Sequence, residues 1–230
     1  MALTFSEDKN SMIKYVAFFD LDRTLIREIS GKAIVRMAWK KGLISWSDLI
    51  KAFYIHLMFK LSLRNPLKII DDMVGLVKGK PEAELTELCQ SVCREVLFPT
   101  VFRDALTEIN FHKENDAKVI ILSSALNYIC SAISDRLGLD GFLCSSLETK
   151  DGYLTGRPIG RLCYGNEKSD RLTAYCAANN MNKSASWYYT DSISDLPVLN
   201  SVGNPVCVNP DRKLKKKALE KGWKILSWQN

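Results

Sequence analysis

The stretch "YVAFFDLDRTLI", Tyr15–Ile26, passes from an apolar run directly into two aspartates, Asp20 and Asp22. The run from about Lys14 to Phe19 is rich in β-forming residues and lacks polar alternation, which is typical of a central parallel strand buried on both faces. Such a strand ends at the edge of its sheet where ligands of α/β proteins bind. The stretch therefore predicts a parallel sheet with acidic side chains at its ligand-binding edge.

Strands return in the second half of the chain and alternate there with helices. Apolar runs at Lys118–Ser124 and 186–190 are typical of strands, and long helix-forming segments separate them. Strands that alternate with helices in this way pair in parallel and carry helices on both faces. We therefore expect an α/β fold, a three-layer α/β/α Rossmann-like sandwich with a mostly parallel sheet.

Residues 28–112 differ in pattern from the segments on either side. Helical periodicity and helix ends dominate this block, as in the segment 30–42, which closes on Gly42. The block predicts an inserted α-helical cap domain at 28–112. Residues 1–27 and 113–230 would then form the α/β core domain.

The composition is that of an ordinary globular protein, with 47% hydrophobic and 25% charged residues in a chain of 230. The seven cysteines are odd in number and show no CxxC spacing. This pattern predicts reduced thiols rather than disulfides or a zinc site. Residues 1–12 carry acidic and polar side chains where a secretory leader is apolar. We therefore expect a cytoplasmic location.

The net charge of +6 is concentrated near the carboxyl terminus, where the segment Asp211–Lys224 holds seven Lys or Arg residues against two acids. Without interleaved aromatic residues, this pattern favours a solvated helix face, and we expect no nucleic-acid partner. No uncharged run approaches the ~20 residues that span a bilayer. The apolar, lysine-containing segment 49–63 leaves peripheral membrane contact open.

Polar residues follow the predicted strands at the edge where ligands bind. Four carboxylates that share one crevice repel each other, and a cation relieves that repulsion. Mg²⁺ suits such a place because it takes one or two carboxylates together with waters and a substrate phosphate. A hydroxyl and an ammonium group could then bind the phosphate. The residues concerned are Asp20, Asp22, Asp191, Asp195, Ser123 and Lys168.

The spacing of these residues resembles that of the haloacid dehalogenase (HAD) superfamily of phosphohydrolases. Within it, the chain is most similar to the phosphoserine phosphatase-like branch, subfamily IB, which carries a helical cap. Four segments match the motifs of that family in order, and together they are specific. They are "DLDRT" at 20–24, "VIILSS" at 119–124, "NEK" at 166–168 and "YYTDSISDLP" at 188–197.

The resemblance implies a covalent mechanism. Asp20 matches the nucleophile that forms an aspartyl phosphate, and Asp22 matches the general acid and base. Asp20, Asp22 through its backbone carbonyl, and Asp191 match the ligands of Mg²⁺. Asp195 matches a family position whose side chain would bind a metal-bound water molecule or Lys168.

The remaining matches concern the phosphate and the substrate. Ser123 and Lys168 match the phosphate-binding residues, with Ser124 beside them, and Thr24 would steady the catalytic loop. Arg23 is a candidate specificity residue, and it stands where phosphoserine phosphatases more often carry a small residue such as Gly or Ser. Glu28 is a candidate specificity residue by analogy with the cap glutamate that binds the amine of the substrate in phosphoserine phosphatases. A cap arginine binds the carboxylate of the substrate in those enzymes, and Arg36 and Arg64 are candidates for that role here.

The sequence thus predicts a Mg²⁺-dependent phosphatase that hydrolyses a small phosphomonoester, a phosphoserine-like metabolite, through an aspartyl-phosphate intermediate. Two alternatives stay open. One is a phosphatase of a lipid head-group phosphate at the membrane surface, and the other is a non-catalytic signalling module that binds Mg²⁺ and phosphate. The sequence makes no prediction of oligomeric state.

Overall fold

The computed structural model describes residues 15–51, 54, 68, 72 and 74–229. Some positions used in the sequence predictions lie outside these residues. They are Lys14, Arg64 and most of the segment 49–63. Strands are numbered in chain order, and so are the helices whose two ends are described.

A six-stranded sheet forms the centre of the molecule, in the order β3-β2-β1-β6-β7-β8. Every pair of neighbouring strands in it is parallel. Two further strands, β4 and β5, form an antiparallel hairpin that turns at Asp151 and Gly152, both with positive φ. The strands are β1 (Val16–Phe19), β2 (Lys118–Leu126), β3 (Gly141–Ser145), β4 (Leu147–Lys150), β5 (Tyr153–Pro158), β6 (Trp187–Thr190), β7 (Asn204–Val208) and β8 (Lys224–Leu226).

Helices connect the parallel strands. Residues 46–51, 54, 68, 72 and 74–75 are also helical. The numbered helices are α1 (Ser30–Lys40), α2 (Glu82–Val92), α3 (Arg103–Glu114), α4 (Asn127–Leu137), α5 (Asn166–Ala178), α6 (Leu196–Leu199) and α7 (Arg212–Lys221). Shorter helical turns are a π turn at Cys93–Leu97 and 3₁₀ turns at Phe98–Thr100, Lys183–Ala185 and Ile193–Asp195.

Strand β1 has apolar cores on both of its faces. Ala17 and Phe19 belong to one hydrophobic cluster, whereas Val16 and Phe18 belong to the other. Since successive side chains of a strand point to opposite faces, this division means that the sheet is covered on both sides. The predicted three-layer α/β/α sandwich with a mostly parallel sheet is confirmed.

The segment predicted as a cap contains one helix that packs on the sheet. His112, at the end of α3, is fully buried and makes hydrogen bonds of 3.0 Å to the hydroxyl of Tyr15 and 2.8 Å to that of Tyr189. Helix α3 therefore contacts the strands directly, although it lies within residues 28–112. The division of the chain into cap and core domains stays a prediction.

No helix in the described part of the chain is both long and apolar enough to cross a bilayer. The predicted cytoplasmic location and the predicted lack of a nucleic-acid partner stay predictions.

The buried imidazole of His112 makes stability depend on pH. Burial, and then the charge of Lys224, lower the pKa of His112 from 6.5 to about 4. Between these values the unfolded chain binds a proton that the folded protein does not. We expect the free energy of unfolding to fall as the pH drops from about 6.5 to about 4, by up to about 1.4 kcal/mol per pH unit.

Urea unfolding of the wild type and of His112→Gln across this pH window measures the effect. The advantage of the wild type over the variant should shrink as the pH falls. A difference that stays constant across the window would contradict the prediction.

Candidate active site

A tight turn after β1 brings Asp20 and Asp22 to the same edge of the sheet. The carbonyl of Leu21 accepts hydrogen bonds from the backbone N–H groups of residues 24–26, at 2.9–3.2 Å. Arg23, within this turn, has φ +59°. Only glycine adopts that left-handed conformation at little cost, which gives a physical reason for a small residue at this position in similar proteins.

Lys168 lies at the centre of the acidic cluster. Its Nζ is 2.9 Å from Oδ1 of Asp20 and 2.8 Å from Oδ2 of Asp195, and it donates to the hydroxyl of Tyr188 at 3.1 Å. The side chain is 3% exposed. Burial opposes its charge, but the carboxylates of Asp195 and Asp20 outweigh burial and raise the pKa of Lys168 well above its usual range. The ammonium group therefore stays charged inside the protein.

Asp195 is held by one of its two oxygens. Its Oδ2 accepts hydrogen bonds from the hydroxyls of Tyr188 and Thr190, both at 2.7 Å, in addition to the bond from Lys168. Its Oδ1 is buried and has no partner in the described part of the chain. A buried acceptor without a partner is costly, and a water molecule bound to a metal ion would satisfy it.

Asp22 is bound to the start of helix α1. The backbone N–H of Ser30 donates to its Oδ1 at 2.9 Å and the hydroxyl of Ser30 donates to its Oδ2 at 3.0 Å. Burial is the main cause that raises the pKa of Asp22 to about 6, and the charge of Asp20 adds to it against the two bonds from Ser30. A carboxyl group with such a pKa can both give and take a proton near neutral pH.

Asp191 follows β6, which pairs with β1, and it lies near Asp20. Burial, and then the charge of Asp20, raise the pKa of Asp191 to about 8, while Arg23 lowers it. Its backbone carbonyl accepts from the N–H of Asp211 at 2.8 Å, and the Asp211 carboxylate accepts from Ile193 N–H at 2.8 Å. The residue before α7 thus fixes the loop that carries Asp191.

The donor set fits a magnesium ion. Among the described residues, no group of three or more His, Cys, Asp or Glu side chains is arranged to hold a metal ion by itself. Mg²⁺ needs fewer, because it usually binds one or two carboxylates and completes its shell with carbonyls, waters and phosphate. Asp20 and Asp191 would provide the carboxylates, and the backbone carbonyl of Asp22 accepts no main-chain hydrogen bond from the described residues.

Ser123 lies within β2, beside the turn that follows β1. The register pairs Phe19 with Ile121, so Ser123 stands two residues further along, at the edge where Asp20 begins the turn. Ser123 is 1% exposed, and its Oγ accepts from the N–H of Ala125 at 3.3 Å. Its hydroxyl proton is therefore available to a ligand at this edge.

The remaining predicted residues have more varied surroundings. The Thr24 hydroxyl is buried and has no partner among the described residues, so no hydrogen bond from it steadies the loop there. Glu28 lies 3.9 Å from Arg36 in a partly exposed ion pair. Ser124 lines a cavity that neither Glu28 nor Arg23 lines.

That cavity, called the apolar cavity below, has a volume of about 400 Å³, and its polar lining residues include Asp22, Ser124 and Tyr164. Its walls are mostly aliphatic, and α1, α2, the end of β2 and the segments around them contribute to them. The aliphatic lining residues include Ile29, Ile34, Ala38, Leu85, Leu88 and Leu126.

Sequence reasoning missed Ser30 and Tyr188, which hold Asp22 and Asp195. Ser30 opens a helix that the sequence did predict, and a serine at a helix start is a common hydrogen-bonding residue. Tyr188 reads as an apolar strand residue, because the sequence carries no sign of where its hydroxyl points.

Comparison with known proteins places the chain among phosphatases. The family model of haloacid dehalogenase-like hydrolases matches residues 17–200. A histidinol-phosphatase of Neisseria meningitidis is 30% identical over 226 residues, which cover 94% of this chain and 100% of that protein. A probable phosphatase of Mycobacterium tuberculosis is 29% identical over 92% of this chain and 75% of its own length. A phosphoserine phosphatase of that species is 26% identical over 91% of this chain and 69% of its own length.

Solved structures share the fold. A protein of unknown function from Bordetella pertussis superposes with a TM-score of 0.85 at 21% identity, covering 93% of this chain and 98% of that one. A phospho-aspartyl intermediate analogue of phosphoserine phosphatase superposes with a TM-score of 0.70 at 21% identity, covering 94% and 93%.

The position of Lys168 between two buried carboxylates predicts a large effect of its removal. Lys168→Met should lower the free energy of unfolding by about 3–5 kcal/mol, because it leaves buried negative charge without its counter-ion. Urea unfolding monitored by circular dichroism provides the measurement.

Lys217→Met is the matched control, since Lys217 pairs with Glu220 at 3.0 Å on the surface, where both side chains are more than a third exposed. Exposed pairs are screened by water, so this variant should unfold nearly as the wild type does. Equal effects of the two substitutions would contradict the assigned environment of Lys168.

Proposed function

The chain belongs to the haloacid dehalogenase-like hydrolases and is a phosphatase, and we propose that it hydrolyses a phosphomonoester with Mg²⁺ through an aspartyl phosphate on Asp20. The observation that carries the proposal is the different environment of two neighbouring carboxylates. Asp20 forms an ion pair with Lys168, whereas Asp22 is bound by Ser30. Burial raises the pKa of Asp20, and the charge of Lys168 opposes that effect and favours the anion. Asp22 is placed to transfer protons.

In the first step, the carboxylate of Asp20 attacks phosphorus. Because Lys168 binds Oδ1, the attack comes from Oδ2. A bond forms between Oδ2 and phosphorus while the bond from phosphorus to the ester oxygen breaks. Asp22 gives its proton to the departing oxygen, which leaves as an alcohol.

In the second step, water hydrolyses the aspartyl phosphate. Asp22, now a carboxylate, takes a proton from the water, whose oxygen attacks phosphorus. The bond to Asp20 breaks, inorganic phosphate leaves, and both aspartates return to their starting states. The two hydrogen bonds from Ser30 keep the Asp22 carboxylate in one orientation throughout.

The charge on the transferring phosphoryl group needs compensation. Mg²⁺, held by Asp20, Asp191 and the carbonyl of Asp22, would supply most of it by neutralising negative charge at the phosphate. Lys168 adds a fixed positive charge, and Ser123 adds a hydrogen-bond donor. Asp195 keeps Lys168 in position and offers its unpaired Oδ1 to a metal-bound water.

Loss of the nucleophile should abolish the reaction. We expect Asp20→Asn to have no measurable turnover of p-nitrophenyl phosphate, since an amide cannot form the intermediate. Wild-type enzyme quenched in acid during turnover should carry one phosphoryl group by intact-protein mass spectrometry, and the variant none. Asp170→Asn, at an exposed site 3.6 Å from Arg161, is the control and should match the wild type. Retained turnover in Asp20→Asn would refute the assignment.

Loss of the proton carrier should slow the reaction without abolishing substrate binding. We expect Asp22→Asn to lower kcat by about 10²–10⁴-fold, the usual contribution of a general acid or base. Steady-state kinetics with p-nitrophenyl phosphate measure it. An unchanged kcat would argue against this role.

Removal of the metal should be reversible. EDTA should stop turnover and excess Mg²⁺ should restore it, because the acidic cluster repels a phosphate dianion without a cation. Mg²⁺ should also raise the melting temperature of the wild type, since it binds only the folded site. Asp191→Asn should lose most of that rise. Full activity in EDTA would exclude the proposed role of the metal.

A further inference from the structure

The apolar cavity and the acidic site share Asp22. Asp22 protonates the leaving oxygen in the proposed function, and it is also a lining residue of this cavity. The alcohol that leaves with that oxygen therefore extends into the cavity. The chemistry of the walls then decides which alcohols bind.

The walls do not suit a charged leaving group such as the amino acid part of phosphoserine. Its ammonium and carboxylate groups would each need a partner when they leave water. Besides Asp22, four charged side chains line the cavity in the described part of the chain, and no arginine is among them. Lys32 and Glu84 are exposed, Lys80 donates to the carbonyl of Leu43 at 2.8 Å, and Asp48 accepts from the N–H and the hydroxyl of Ser45.

Gly31 supplies a second, independent observation. It is the second residue of α1 and lines the cavity, yet its backbone does not adopt the left-handed conformation that favours glycine. A Cβ atom built at Gly31 meets no atom of the described residues within 4 Å. Glycine is also a less favourable helix residue than alanine. Neither backbone conformation nor close packing requires it here, and what it provides is room in the cavity next to Ser30 and Asp22.

Resting on the proposed function, we propose that the substrate is a phosphomonoester of an aliphatic alcohol, that the alkyl chain occupies the apolar cavity, and that Gly31 keeps open the space the chain needs. A cavity of about 400 Å³ is in the usual range for a bound small molecule. Each methylene group that leaves water for such walls improves binding about fourfold, which corresponds to about 0.8 kcal/mol.

The test compares kcat/KM for methyl, butyl, hexyl and octyl phosphate and for O-phosphoserine. For the wild type, kcat/KM should rise by about fourfold per methylene until the cavity is full, and octyl phosphate should exceed phosphoserine. Gly31→Leu should lower the ratio of octyl to methyl phosphate at least tenfold, because its side chain takes the place of about three methylenes of substrate.

Gly75→Leu is the matched control. Gly75 is also helical and is exposed, and it does not line the cavity. A Cβ atom built at Gly75 also meets no atom of the described residues within 4 Å. This variant should show the wild-type dependence on chain length. A flat dependence on chain length in the wild type, faster turnover of phosphoserine than of octyl phosphate, or an unchanged ratio in Gly31→Leu would each overturn the inference.

Failure of the inference differs from failure of the proposed function. If phosphoserine or methyl phosphate is hydrolysed faster than octyl phosphate, the enzyme is a phosphatase and only the substrate class is wrong. If no ester is hydrolysed with Mg²⁺, the proposed function fails. A binding measurement separates the two further: calorimetry should show that octylphosphonate binds more tightly than methylphosphonate to the wild type and that Gly31→Leu weakens only the former. Equal binding of both phosphonates to the wild type would overturn the inference independently of turnover.

An aliphatic phosphomonoester can come from solution or from a lipid. Octyl phosphate in solution represents the first source, and phosphatidate in phosphatidylcholine vesicles represents the second. Hydrolysis of both assigns the cavity to a lipid phosphate reached at a bilayer surface, whereas hydrolysis of octyl phosphate alone assigns it to a dissolved alkyl ester. Hydrolysis of neither, with phosphoserine turned over, overturns the inference.

Discussion

The ion pairs of one buried lysine organise the whole acidic edge of the sheet. Lys168 joins Asp20 at the end of β1 to Asp195 beyond β6, across 148 and 27 residues of sequence. Buried ion pairs add little to the free energy of unfolding once the cost of desolvation is counted. Replacing such a group by well-packed hydrophobic residues of similar volume often leaves the stability unchanged or increases it. The cluster is therefore better explained by chemistry than by folding. Under the proposed function, Lys168 favours the ionised form of Asp20 against the effect of burial and orients this carboxylate toward the phosphate.

A second contact, between Ser30 and Asp22, connects the acidic site to the apolar cavity. Ser30 binds both oxygens of Asp22 and is also the first residue of α1, the helix that lines the apolar cavity. A displacement of this helix would move Asp22, the proposed proton carrier, together with the wall that we propose binds the leaving alcohol. An alcohol that packs well against α1 thus holds Asp22 in the position from which it can protonate the ester oxygen.

Much of the fold and the edge of the site could be predicted from sequence because both depend on short-range patterns. The unbroken apolar run before Asp20 specifies a central strand, and the ends of parallel strands necessarily meet at one edge. Other features depend on contacts between distant residues. The periodicity of α3 indicates a buried face, but only His112 against Tyr15 and Tyr189 reveals that this face packs on the sheet. The hydrogen bonds of the Tyr188 hydroxyl to Asp195 and Lys168 could not be predicted either, because they also join separate elements of the fold.

The charges at the site also explain why an arginine occupies position 23, where the left-handed backbone would be less strained with a glycine. Four carboxylates, those of Asp20, Asp22, Asp191 and Asp195, face one ammonium group, so their charges are not balanced when all are ionised. Arg23 lies near enough to Asp191 to lower its pKa. Its left-handed backbone costs about 1–2 kcal/mol. In return, the positive charge favours the ionised form of Asp191, which is the form that a divalent cation requires.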